Sequence, residues 1–224
     1  HIPLIHDMQG KKLSKRDNIT NVKDYIKQGY LTKSIFNFII KLGNNFNDQE
    51  YLDSSSAIDN FELNKTVLSP AKFDLAKLNY INQNYLSQLS YLDFKKHINS
   101  KNILLVENLD TKKIYESILE RCIKLTDINI ELDKLLTFYH SHNQLLLDEE
   151  EKNLINKIYK AIQKLHSTDD LIHILNENDL SLKKIGKIIR KIFVNFESKL
   201  PIEKIILFYG IGNLKKRLLL YIDD

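Results

Sequence analysis

The sequence predicts a predominantly all-α protein, and three observations carry that prediction. Only three prolines and six glycines interrupt 224 residues, too few breakers for a turn-dense β fold. Apolar residues recur at three- and four-residue spacing along most of the chain, the pattern of helices with one buried face. The one strand-like stretch is short and lies at the N-terminus.

Residues 1–10 read as an apolar strand entering a turn at Gly10. A basic loop follows, Lys11-Lys12-Leu13-Ser14-Lys15-Arg16-Asp17. Val22, Tyr25 and Ile26 form a short helical face that ends near Gly29. Leu31, Ile35, Phe38, Ile39 and Leu42 predict an amphipathic helix, with Gly43 expected as a left-handed C-terminal cap. Residues 44–60 are rich in Asn, Asp and Ser and predict loops with one short helix. Ser69-Pro70 reads as a helix start, and 70–92 as two short helices bearing Phe73, Leu75, Leu78, Ile81, Tyr85, Leu86 and Leu89.

From about residue 93 onward the pattern is helical. Asp148-Glu149-Glu150-Glu151 places acidic groups at a helix N-terminus, where the dipole favours them. Leu154, Ile155, Ile158, Tyr159, Ile162 and Leu165 line one face. Leu182, Ile185, Ile188, Ile189, Ile192, Phe193 and Phe196 line the next long helix, and Pro201 and Gly210 bracket another.

Composition narrows the function classes. The net charge of +4 is mildly basic and does not by itself establish a nucleic-acid partner. One cysteine, Cys122, excludes an internal disulfide or a multi-cysteine zinc site. A reducing, cytoplasmic setting is the default expectation. No apolar run is long enough to cross a bilayer. The chain opens on His1 without a methionine and reads as a piece of something longer. His140 and His142 do not share a helix face and have no evident third ligand, so no metal site is expected. Asp169-Asp170 and Asp223-Asp224 read as caps or tail charge.

The stretch from Gly10 to Asp17 carries the chemistry. Lysine ammonium groups are compact charges that follow phosphate oxygens as charge develops on them. A mobile loop can close on a nucleotide and then release pyrophosphate. On composition alone such a loop is most often a solvated surface.

The order of residues adds to this. Lys12-Leu13-Ser14-Lys15-Arg16 resembles the second signature of class I aminoacyl-tRNA synthetases, the KMSKS loop. His1-Ile2-Pro3-Leu4, Tyr25-Ile26-Lys27-Gln28-Gly29-Tyr30-Leu31 and Phe36-Asn37-Phe38-Ile39-Ile40-Lys41-Leu42-Gly43 resemble the bacterial glutamyl-tRNA synthetases in particular. So do Ser69-Pro70-Ala71-Lys72-Phe73-Asp74 with Lys77, Leu78 and Asn82, and more loosely Leu182 to Lys187 and Pro201 to Gly210.

The resemblance implies an ATP-using ligase, dependent on Mg2+, that joins glutamate to tRNA(Glu), and tRNA(Gln) in some members, through a glutamyl-adenylate. Lys15 would contact the ATP phosphates catalytically, within a binding loop of Lys12, Leu13, Ser14, Lys15 and Arg16. Residues 1–18 would end the catalytic domain and 19–80 would form a stem-contact domain. Helical anticodon-binding domains would follow over 81–140 and 141–224. The family's first signature, its nucleotide-binding domain and its glutamate pocket are not in these residues, so this stretch alone is expected to bind tRNA without charging it. Phe193 stands where many relatives carry an anticodon-reading arginine, which leaves base-specific reading there unsupported.

Lys183, Lys187, Arg190 and Lys191 are spaced to share a helix face opposite Ile185, Ile189 and Ile192. They are the candidate RNA contacts, with a solvated face the even alternative. Lys215, Lys216 and Arg217 add nearby charge, and Phe138, Tyr139 and Phe196 are aromatic candidates, Phe196 fitting the core better. A monomer is expected. The competing reading is a non-enzymatic, synthetase-like module that binds tRNA or scaffolds partners.

Overall fold

The computed structural model describes residues 4–13, 21–46, 49, 51–106, 109–136, 145–194 and 198–222. Among these the regular secondary structure is helical apart from two strands of two residues each. It divides into two compact units, the first made of residues 1–90 with 122–127 and the second of 91–121 with 128–224.

The first unit holds β1 (Ile5–His6), α1 (Val22–Lys27), α2 (Thr32–Gly43), α3 (Ser54–Asp59), β2 (Ala71–Lys72) and α4 (Leu75–Ser87). Its core joins Tyr25, Tyr30, Ile35, Phe38, Leu78 and Ile81, with Leu42, Phe73 and Tyr85 packed at the edge. Phe73 meets Phe38 edge to face at 4.9 Å, a geometry aromatic quadrupoles favour. Only Tyr25 of the expected α1 face is buried; Val22 and Ile26 are exposed. Ile39 is exposed as well, because α2 splits its apolar residues between two clusters, the second joining Phe46, Leu52 and Ala57 with Phe36 and Ile40.

Two local signals lose to longer-range pairing. Ser69-Pro70 does not start a helix. Ala71 and Lys72 pair in parallel with Ile5 and His6, so their backbone is extended. The helix begins at Leu75, with the Asp74 carboxylate accepting from Lys77 N at 3.1 Å. Gly43 is not left-handed either. It stays within α2, and Asn44 leaves in an extended conformation.

A clasp closes the first unit. Gly29 has φ +94°, and Leu125 N donates to its carbonyl at 2.8 Å. A Cβ on Gly29 would lie 3.0 Å from Thr126 N. The buried Asn82 accepts from Leu31 N at 2.9 Å and donates to Ile123 O. Lys124 Nζ stands 4.9 Å above the Tyr30 ring, and Asp127 accepts from Ile123 N and Lys124 N, both at 2.9 Å.

The second unit holds α5 (Tyr91–Lys96), α6 (Ser100–Val106), α7 (Tyr115–Leu119), α8 (Asp127–Leu136, from Ile128), α9 (Glu149–Ile162), α10 (Leu171–Glu177), α11 (Leu182–Phe193) and α12 (Ile202–Leu219). The acidic start of α9 is a full capping box between Asp148 and Glu151. Ile185, Ile188, Ile189, Ile192 and Phe193 of α11 are all buried, as their spacing predicts. Gly210, at φ 71° and ψ 162°, breaks α12 where the sequence places a helix end. Cys122 is buried. No helix among the described residues is long and apolar enough to cross a membrane.

Polar contacts at helix ends hold this unit together. The Tyr209 hydroxyl donates to Leu135 O and lies 3.2 Å from Phe193 O. Lys215 Nζ donates to Gln163 O at 2.8 Å and to Leu165 O at 2.5 Å, past the end of α9. Arg217 Nε donates to Ile192 O at 3.0 Å, in the last turn of α11.

Gly29→Ala combines strained backbone with a clash at Thr126 N. It is expected to destabilise the protein by about 1–3 kcal/mol, read as a lower midpoint in urea; an unchanged midpoint contradicts the clasp. Burial pushes the His97 imidazole below its ordinary pKa, opposed by Asp93 and reinforced by Lys96. The unfolded chain therefore takes up this proton first as pH falls. The stability at stake is fully present above the unfolded value of 6.5 and is lost as pH falls through the folded value. His97→Gln should flatten the stability profile below pH about 6.5, measured by urea midpoints at stepped pH.

Candidate nucleotide and nucleic-acid interface

The basic loop leaves from a hairpin whose stem is tied by backbone hydrogen bonds. Asp7 starts a turn in which its carboxylate accepts from Gln9 N at 3.0 Å and Lys11 N at 2.8 Å. Gly10 closes that turn at φ +86°, a conformation costly for other residues. The chain then runs back along β1. Asp7 N donates to Lys11 O at 2.8 Å, His6 bridges antiparallel to Lys12, and Leu13 N donates to Ile5 O at 3.0 Å. On the other side of β1, Phe73 N donates to His6 O at 2.7 Å, continuing the parallel pairing with β2.

The result is a loop root fixed to the first unit's core through Phe73. Lys12 is exposed on this stem and Leu13 is half-buried. Ser14, Lys15 and Arg16 lie outside the described residues. Lys12 has the chemistry a phosphate needs and an open position from which to meet one.

The structure separates the four basic residues of α11. Lys183 and Lys187 are exposed. Lys191 is half-buried and donates to both oxygens of Glu151, at 2.8 and 2.5 Å. Arg190 donates to Ser198 O and Leu200 O, each at 2.6 Å. These two are engaged within the protein and are not open cations on a solvated stripe. The charge at Lys215 and Arg217 is likewise turned onto helix carbonyls. Phe138, Tyr139, His140, His142 and Phe196 lie outside the described residues.

Phe193 is buried, its ring 4.6 Å from that of Tyr209. A guanidinium there would lose its water inside a hydrophobic contact, so the side chain at this position serves packing. Sequence reasoning missed Asp7, whose turn is signalled by Asp-Met-Gln-Gly, and the role of Asn82.

Comparison with known proteins fits this geometry. The family described as "tRNA synthetases class I (E and Q), catalytic domain" matches residues 1–80, which include the hairpin and most of the first unit's core. The chain is 30% identical over 233 residues to glutamate–tRNA ligase 2 of Rickettsia bellii, a match covering 97% of this chain and 50% of that protein. It is 34% identical over 170 residues to glutamate–tRNA ligase 1 of Wolbachia pipientis wMel, covering 75% of this chain and 35% of that one. The fold is similar to a glutamate tRNA ligase from Elizabethkingia meningosepticum solved with its amino acid, with a TM-score of 0.73 at 23% identity over 99% of this chain and 50% of that one. The glutamate-tRNA synthetase of Elizabethkingia anophelis gives 0.71, also at 23% identity, over all of this chain and 50% of that one.

The hairpin and the helices around it thus match the family model of class I tRNA synthetases of the glutamate and glutamine group. The chain is a part-length homologue of the glutamate–tRNA ligases, and it spans about half the length of the curated relatives it matches.

Asp7→Ala removes the acceptor for two turn amides. Hydrogen exchange at Gln9 and Lys11 should accelerate while the α4 amides keep their protection. Unchanged exchange at those two amides would show that the carboxylate does not hold the turn.

Proposed function

We propose that these residues are the C-terminal, tRNA-binding part of a glutamate–tRNA ligase that joins glutamate to tRNA(Glu), with tRNA(Gln) a second substrate to test. The observation that carries the reading is similarity to such ligases over 97% of this chain. In it, residues 1–18 end the catalytic domain, 19–80 brace the inner corner of tRNA, and 81–140 and 141–224 serve the anticodon arm.

The fixed hairpin stem supports the role given to the loop. A loop rooted in a rigid core can move at its tip and return to one position, as nucleotide closure requires. Lys15 is the residue proposed to stabilise charge on the ATP phosphates, with Lys12, Leu13, Ser14 and Arg16 as its loop. ATP, with Mg2+, would supply the adenylating chemistry. Activation of glutamate also needs the nucleotide-binding domain that carries the family's first signature, so these residues alone would bind tRNA without charging it.

On α11, Lys183 and Lys187 are the side chains left open to RNA. The alternative, a synthetase-like module without catalysis, draws on the same half-length match and differs only in what accompanies this chain in the cell. In either case the working compartment would be the cytoplasm.

Filter binding of tRNA(Glu) across salt tests the reading. Log affinity should fall linearly with log salt, with a slope of about −0.7 to −0.9 per phosphate contacted. Lys183→Glu with Lys187→Glu should lower both affinity and slope. A flat salt response would count against RNA binding. In an enzyme containing this chain and the catalytic domain, Lys15→Ala should slow adenylate formation far more than it weakens tRNA binding; equal effects would remove Lys15 from its role.

A further inference from the structure

Two guanidinium groups converge on one short segment of the second unit. Arg190, on α11, donates to Ser198 O and Leu200 O, each at 2.6 Å. Arg121, just past α7, donates to Lys199 O at 3.1 Å and to Ser117 O at 2.9 Å. Three consecutive carbonyls therefore bring two cations together, and the Lys199 side chain between them is exposed.

Among the described residues neither guanidinium has a carboxylate ion-pair partner. Burial, and secondarily the Arg121 charge, push the Arg190 pKa down. Like charges held together without a counterion are costly unless an anion joins them. Carbonyl oxygens supply only partial negative charge. A guanidinium carries five N–H donors, and two on each arginine are used by these carbonyls. The others remain for an anion. Helix α12 begins at Ile202 with no side-chain cap, so its unfilled amides lie close by in the chain.

We propose that Arg121, Arg190 and Lys199 form an oxyanion site for a backbone phosphate of RNA. The site extends the α11 face that carries Lys183 and Lys187, since residues 183, 187 and 190 follow helical spacing. It rests on the tRNA-binding reading above and adds to it Arg121 and Lys199. It also gives Arg190 a different role from an open stripe: its fork is oriented by backbone before RNA arrives. Guanidinium geometry suits phosphate oxygens, and prior orientation lowers the entropy lost on binding.

The test uses the whole chain and tRNA(Glu), with filter binding from about 50 to 200 mM salt. Lys199→Gln alters an exposed side chain without a hydrogen bond or ion pair among the described residues, and should leave the melting temperature unchanged. It and Arg121→Gln should each weaken binding several-fold and make the salt slope shallower by about 0.7–0.9. Because Arg121→Gln also removes two carbonyl contacts, a second measurement uses the unmutated protein. Titration with inorganic phosphate, and separately with tRNA, should shift the Arg121 and Arg190 Nε–H resonances.

Unchanged slopes in both variants, while Lys183→Glu with Lys187→Glu still weakens binding, would overturn this site and leave the tRNA reading standing. Resonances that respond to phosphate but not to tRNA would overturn the RNA assignment. Failure of the unmutated chain to bind tRNA at low salt would instead remove the reading on which the site rests.

Discussion

Backbone carbonyls left over where helices stop are the constraint on which this structure depends. A chain built from many short helices has many such ends, and each leaves acceptors without an intrahelical donor. Here long side chains fill them. Lys215 serves the end of α9, Arg217 the end of α11, and Arg190 and Arg121 the segment that leads into α12. Asn82 and Tyr209 do the same from buried positions. Desolvated carbonyls without these partners would cost more than each bond contributes when made.

This accounting alters how the basic composition is read. Thirty-three lysines and arginines give a small positive excess, and a linear reading assigns the clustered ones to RNA. Several of those near the C-terminus are committed to internal carbonyls or to Glu151. The charge open to a polyanion is therefore smaller and more localised than the sequence suggests. Of the clustered cations near the C-terminus, Lys183, Lys187 and Lys216 stay exposed, and the two convergent arginines owe their proximity to the 198–200 carbonyls.

Helical periodicity was legible wherever a helix buries one continuous face. The stripe of α11 and the capping box of α9 follow directly from residue spacing. Gly210 was legible because a glycine closing an apolar run has few alternatives. Ser69-Pro70 misled because its cap signal is local, whereas the backbone of Ala71 and Lys72 is claimed by β1 from the far end of the unit. Ile39 misled because α2 serves two clusters and a single stripe was assumed. The resemblance of residues 12–16 to a KMSKS loop rests on residue order, whereas the anchoring of the stem before it was not legible, since strands two residues long leave no alternating pattern. Arg190 and Lys191 sat on the expected helix, but their partners Ser198, Leu200 and Glu151 could be known only from the folded chain.

The parallel pairing of Ile5–His6 with Ala71–Lys72 has a consequence for biosynthesis. The root of the loop precedes its partner strand by the whole of α1, α2 and α3. On a translating ribosome the first strand therefore waits, with one edge unpaired, until the residues around Phe73 leave the exit tunnel. Closing so long a span is entropically costly and becomes favourable only once the intervening helices have condensed. The hairpin stem thus completes its pairing after the scaffold beneath it, so a nascent chain stalled before Phe73 would display Lys11 and Lys12 on a stem without its parallel partner strand.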